Sequence, residues 1–287
     1  MSLPDFIIIG AMKSGTSTLH EQLAAQADVF MTTPKEPNFF SDDAVYANGL
    51  DWYKNLFSAA RAGALKGEAS THYTKLPTYP QTVERLAAAT ADVKLIYVMR
   101  HPIDRLVSHY VHEWTQNVIA APINDAIEAH PELIAYSRYA YQLAPYIERF
   151  GKDSILPVFF ERLTAAPDAE LKRIGAFIGA KTPFVWRDDM EAANISAERI
   201  RRFPLYNLIV DNPAATFLRR ALVPQALRDR VKGRLQMKER PTLSDAAQKC
   251  LRDIFDEDLA TLSGYFDADL NCACYKEKAR HSPIGWL

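Results

Sequence analysis

Cysteine is scarce in this chain: three in 287 residues are too few for a disulfide framework. Cys272 and Cys274 stand one residue apart, and a bridge between them would close a strained loop, so reduced, non-catalytic thiols are expected. Neither Cys-x-x-Cys nor a helical His-x-x-x-His occurs, which leaves zinc without an obvious ligand set; no metal is expected. An excess of one charge is also lacking. The 34 Lys and Arg oppose 35 Asp and Glu, a formal net charge of -1, so no global field draws the chain to nucleic acid or an acidic membrane. Any anion site has to be local. Long apolar runs are missing too: Phe6-Ile7-Ile8-Ile9, behind Asp5, is too short for a signal peptide or a membrane span. The chain is therefore expected in the cytoplasm. With 48% hydrophobic and 24% charged residues, it reads as a globular protein, and disorder, collagen and coiled coil are excluded.

What is present begins with Pro4 to Gly10, a short β-branched run that ends at glycine and reads as a buried strand. A glycine-bearing loop follows, and from Thr16 the residues Leu19, Leu23 and Ala24 recur at helical spacing. Further strands are expected at Leu65–Glu68, Val93–Met99 and Ile155–Phe160, with helices between them. This alternation predicts an α/β fold, a P-loop-type central parallel sheet flanked by helices on both faces. Such sheets bind ligands beyond the carboxyl ends of their strands. Residues 1–287 are expected to form a single domain, with 187–240 as an irregular, Arg-rich cap and a C-terminal amphipathic helix over 244–264.

Gly10-Ala11-Met12-Lys13-Ser14-Gly15-Thr16-Ser17 has the four-residue gap between glycines of a Walker A loop, in the right strand-to-helix setting. Its lysine is displaced. A nucleoside-triphosphate loop carries Lys directly after the second Gly, where this chain has Thr16, and Lys13 lies inside the loop instead. The N–H groups from Gly15 to Thr18, the hydroxyls of Thr16, Ser17 and Thr18, and the helix dipole still suit a phosphate.

A second motif follows the strand at Val93–Met99: Arg100-His101-Pro102-Ile103-Asp104-Arg105-Leu106-Val107-Ser108-His109-Tyr110-Val111-His112. Pro102 fits a helix's first turn. Arg105, Ser108 and His112 are spaced by three and four and share a face, predicting a polar stripe toward the ligand. Arg100 with Ser108 forms a natural clamp for a second phosphate, and two separate anion sites imply a bisphosphorylated nucleotide.

Together Lys13-Ser14-Gly15-Thr16 and Arg100-x-Pro-x-x-Arg105-x-x-Ser108-x-Tyr110 resemble the 5'-phosphosulfate loop and 3'-phosphate motif of sulfotransferases that use 3'-phosphoadenosine-5'-phosphosulfate (PAPS). Lys35-Glu36-Pro37-Asn38-Phe39-Phe40 resembles a segment of the heparan sulfate sulfotransferase branch, rather than the cytosolic phenol and steroid enzymes with their histidine base. The likeness runs, with decreasing strength, from Asp5 to about Leu270. It implies PAPS as donor, the bisphosphate PAP as product, and a hydroxyl- or amine-bearing acceptor. Carried over by position, Lys13 contacts the bridging oxygen and the sulfuryl group, Arg100 and Ser108 hold the 3'-phosphate, and Glu36 is the general base. His112 matches a histidine near the sulfuryl group. Lys238 and Arg240 stand where the family closes a Lys-Gly-Arg loop over the donor, with Glu239 here in place of glycine.

In-line sulfuryl transfer resembles phosphoryl transfer, so positioning and charge stabilisation dominate. A base works best with its pKa raised toward the working pH, and the apolar, Pro-bounded setting of Glu36 is expected to supply that. Glu68 and His72 follow a strand end and fit either the acceptor wall or a structural role; Trp52 and Tyr53 read as core. Asn194-Ile195-Ser196 forms a glycosylation sequon, read here as ordinary chain. Arg199, Arg201, Arg202, Arg219 and Arg220 fit a solvated face or a local basic patch. Saccharide, lipid and small-metabolite acceptors all fit the pattern. The competing readings are a P-loop kinase-like enzyme using magnesium ATP and a catalytically silent nucleotide-binding protein.

Overall fold

The fold is taken from a computed structural model that describes residues 3–90, 92–190, 237, 239–281 and 283–287. Five strands form its sheet: β1 (Phe6–Gly10), β2 (Val29–Met31), β3 (Leu65–Ala69), β4 (Lys94–Met99) and β5 (Ile155–Phe159). They lie in the order β2-β3-β1-β4-β5, and every pairing is parallel. The three-residue β2 is an addition to the sequence expectation; its run is too short to register as periodic. The α/β expectation is otherwise met.

Alternation along the strands splits the core into two layers. Ile7 and Ile9 of β1, Leu95, Tyr97 and Met99 of β4, and Ile155 and Phe159 of β5 pack on one face. That face is covered by the helices Pro102–Thr115 and Tyr139–Phe150 and by a long C-terminal helix, Asp245–Ser263. Phe6, Ile8, Ile96, Val98, Leu156 and Val158 point the other way, against α1 (Thr16–Ala24) and the helices Phe160–Ala165 and Pro167–Phe177. A sheet covered on both faces favours uninterrupted apolar strands, as β1 and β4 show. The C-terminal helix starts one residue later than its motif, because Ser244 caps it by accepting the Ala247 N–H at 3.2 Å. No helix among the described residues is long and apolar enough to cross a membrane.

Two features of this frame prepare the site. Between Ile8 and Gly10 the register of β1 against β4 shifts, the signature of a bulge, which re-aims the chain at a strand end. Gly10 lies at φ +150°, where a Cβ would stand 1.9 Å from Thr74 Oγ1, so the bulge accepts only glycine. Arg105 departs from the expected polar stripe: it is fully buried, its Nε donating to Ser137 Oγ and its Nη2 to the Leu133 carbonyl at 2.8 Å. The segment Leu133–Ser137 covers the start of that helix face, which spacing alone cannot foresee. The 187–240 cap lies mostly outside the described residues, and with it the sequon and the arginine clusters.

Gly10→Ala is expected to destabilise the fold by about 2–4 kcal/mol, the sum of overpacking and a strained φ. Urea unfolding measures it; a loss under about 0.5 kcal/mol would show that the bulge tolerates a side chain.

Candidate active site

A cleft of about 1040 Å³ opens at the carboxyl ends of β1, β3 and β4. Its floor is the loop after β1. Gly15 (φ 88°) caps α1 without a side-chain bond, and Lys13 takes a left-handed φ of 69°. Lys13, Gly15, Thr16, Ser17 and Thr18 line the cleft. The N–H groups of Gly15, Thr16, Ser17 and Thr18 donate to no acceptor among the described residues, as expected at the start of a helix. Ser14 sits beneath the loop, fully buried, with no partner for Oγ among the described residues.

Arg100 faces this loop from the end of β4. Tyr139 fixes its backbone, accepting the Arg100 N–H at 3.2 Å and donating its hydroxyl to the Arg100 carbonyl at 2.5 Å. The guanidinium donates from Nη1 to the Lys13 carbonyl at 3.2 Å and lies 4.8 Å from the Phe160 ring centre. Burial, then the neighbouring Arg100, pulls the Lys13 ammonium below the usual lysine range. Ser108 and His112, one turn apart on the helix Pro102–Thr115, also line the cleft, so the surviving part of the polar stripe does reach the ligand edge.

Glu36 enters from the opposite wall. Its N–H donates to the Ala69 carbonyl at 3.0 Å, while its carboxylate accepts from the Thr71 N–H and hydroxyl and from Lys35 Nζ at 2.7 Å. The expected upward pKa shift is not found. Burial pushes the carboxyl up, but Lys35 and Thr71 outweigh it and hold it below the usual glutamate range. Of the two roles open to Glu68 the structural one is found: it is fully buried behind the wall, receiving the hydroxyls of Tyr53 and Ser70. Tyr53 is core as expected, and Trp52 lies at the surface, stacked on Phe39. His72 lines the cleft with its ring on Tyr79, 4.8 Å between centres; burial drops its pKa to about 4. Arg240 does not line the cleft: it pairs with Asp104 at 3.3 Å, exposed on the surface. Lys238 lies outside the described residues.

Among the lining residues that escaped the sequence reading of the site are Lys35, Thr71, Lys75 and Glu113. Lys75 is set against the Tyr136 ring, and burial lowers its ammonium to about 8. Glu113 accepts from His109 Nε2 at 3.3 Å, a bond that holds its carboxyl below the usual range. Lys35 stands inside a quoted motif, Thr71 and Glu113 each adjoin a histidine already singled out, and Lys75 carried no signal.

The loop after one strand and the arginine ending its neighbour define an α/β protein of the P-loop type, with a cluster of loop N–H groups and a guanidinium facing one cleft. The chain belongs to the sulfotransferase domain family, whose pattern it matches over residues 3–259. It is 34% identical over 195 residues to the mouse heparan sulfate glucosamine 3-O-sulfotransferase 3B1, 62% of this chain and 47% of that one. It is 32% identical over 133 residues to the membrane-associated sulfotransferase kil1 of Dictyostelium discoideum, 45% of this chain and 27% of that one. The chain thus spans about half the length, or less, of these curated relatives. The fold is shared with a sulfotransferase from Alicyclobacillus acidocaldarius, with TM-score 0.66, 23% identity, and 92% and 95% of the two chains covered. Mouse sulfotransferase SULT7A1, solved with PAP, has TM-score 0.51, 17% identity, and 96% and 88% covered.

His109, 2% exposed beneath the site, is held neutral by burial, with its pKa lowered to about 4. A histidine that charges near 6.5 unfolded but only near 4 folded makes the unfolded chain bind the extra proton between those values. His109 therefore stabilises the fold less as pH falls from 6.5 to 4. Its ring resonances in NMR are expected to titrate near 4; a midpoint at 6 or above would contradict this burial.

Proposed function

We propose that this protein transfers a sulfuryl group from PAPS to a hydroxyl or amine of an acceptor, releasing PAP. One observation carries the reading: in a member of the sulfotransferase domain family, Lys13, Glu36, Arg100, Ser108 and His112 all line one cleft at the strand ends. The residues present fit the donor. The unpartnered loop N–H groups at the start of α1 suit its 5'-side anion, while Ser14, buried beneath the loop, does not face the cleft; Arg100 with Ser108 suits the 3'-phosphate. When bound, the donor supplies an electrophilic sulfuryl group on a phosphate leaving group. Lys13 stabilises negative charge on the bridging oxygen, which costs less in a partly desolvated cleft than in water.

Glu36 takes the acceptor proton on a carboxylate oxygen as the acceptor O–S or N–S bond forms and the S–O bond to phosphate breaks. Thr71 keeps that carboxylate in place through two donors, its N–H and its hydroxyl. His112 is assigned to charge stabilisation beside Lys13. A magnesium ATP kinase is disfavoured, because Thr16 holds the position of the Walker lysine. We also assign the chain to the cytoplasm, where the free thiols of Cys250, Cys272 and Cys274 stay reduced.

PAP at 100 times its dissociation constant is expected to stabilise the protein by about 2.7 kcal/mol in a thermal-shift titration, with less effect on Arg100→Ala. A stronger response to magnesium ATP would overturn the donor assignment. Glu36→Gln is expected to lower transfer by about 10²–10⁴ while PAP binding stays within about twofold, read by PAP release across a saccharide, lipid and small-alcohol panel. Bound donor that never turns over in the wild type would favour a binding protein, and full activity in the variant would remove Glu36 as base.

A further inference from the structure

The pair Lys35 and Glu36 poses a geometric problem. Adjacent residues of an extended segment point to opposite sides, yet these two meet at 2.7 Å. Glu36 achieves this with a left-handed φ of 61°, a region unfavourable to a residue with a Cβ. The conformation is held from outside. Glu36 N–H is tied to Ala69, the Asn38 N–H donates to Ser70 Oγ at 3.1 Å, and Thr71 grips the carboxylate. Strain kept in place by its surroundings marks a working part of a site.

The pairing also opposes the role given to Glu36. A carboxylate bonded to an ammonium is a weak base, yet the same ammonium lines the cleft with Lys13 and bears on its charge. Lys35 retains 24% side-chain exposure, and Nζ has Glu36 as its one hydrogen-bond partner among the described residues. Thr71, in contrast, holds Glu36 without involving Lys35. The side chain of Lys35 is thus free to leave while Glu36 stays where it is.

We propose that Lys35 is an exchangeable counter-ion, paired with Glu36 until the donor enters and then turned to the sulfuryl oxygens, leaving Glu36 bound by Thr71 and able to take the acceptor proton. This rests on the sulfotransferase reading above. The base is quenched before the donor is in place and restored by the group that is to be transferred. Lys35 stays an ammonium throughout, and no bond to it forms or breaks. The other titratable groups bearing on Glu36 are Lys75, His20 of α1, His72 and the buried Glu68. Burial keeps His20 and His72 neutral, with pKa values of about 4, so Lys35 and Lys75 are the cations that set its charge at neutral pH.

The test is a ¹³C NMR titration of the Glu36 carboxyl in labelled protein, assigned by its loss in Glu36→Gln, run alone, with PAP and with PAPS. The midpoint is expected to move upward with PAPS and not with PAP, since only PAPS carries the sulfuryl group. In Lys35→Met it is expected to start high and to ignore PAPS. Calorimetry on that variant is expected to show PAPS bound about tenfold more weakly and PAP unchanged, given the worth of a charged hydrogen bond. An unmoved midpoint in the wild type with PAPS bound, or equal affinity for PAPS in wild type and variant, overturns the exchange. Should Lys35→Met fail to fold, the wild-type comparison of PAPS with PAP decides alone. Failure of the wild type to bind either nucleotide would instead overturn the donor reading itself.

Discussion

The side-by-side pairing of β1 and β4 is the constraint on which the cleft depends. Parallel neighbours end at the same edge, so the loop after Gly10 and the arginine after Met99 emerge together though 90 residues separate them in sequence. The Arg100 guanidinium then closes the gap by donating to the Lys13 carbonyl. Burial on both faces locks this register, because a slip by one residue would turn every side chain of β1 to the wrong layer. Ile7 and Ile9 serve one core, Phe6 and Ile8 the other. The bulge before Gly10 is the one concession in this ladder, and it re-aims the chain into the loop.

Charge is balanced over the molecule but not within the cleft. Lys13, Lys35, Lys75 and Arg100 converge there, with Glu36, Glu113 and Asp188 among the lining acids. Burial lowers the Lys13 and Lys75 ammonium groups and keeps His72 neutral. An anion entering such a cleft meets cations already stripped of part of their water, so its electrostatic reward exceeds that at an open surface. The weak basicity of Glu36 follows from the same crowding.

Much of the fold is legible in the residues. Phe6–Ile9 and Leu95–Met99 are apolar runs of strand length, and Ser244 caps the helix that its motif predicts. The short β2 is not legible, since three residues cannot display a period. In the site, Lys13, Arg100, Ser108 and His112 lie where strand-to-helix motifs put them. Arg105 shows the limit: its spacing matches Ser108 and His112, but the segment at Leu133–Ser137 covers it. Glu68, open in the sequence between the acceptor wall and a structural role, is settled in the same way, as the Tyr53 and Ser70 hydroxyls draw it into the core.

By itself the sequence determined the parallel α/β frame, the displaced lysine of the phosphate loop and the arginine clamp. Each is written in a local pattern, an apolar run or a residue at fixed distance from a strand end. The tertiary structure decided what surrounds Glu36. Lys35 meets it only through a strained turn, and Thr71 binds it and Lys75 bears on its charge from a 3₁₀ segment and its end beyond β3, a separation no spacing rule spans. Protonation depends on which charges and hydrogen-bond donors lie within a few ångströms and how much water is left between them, and only the folded chain sets both.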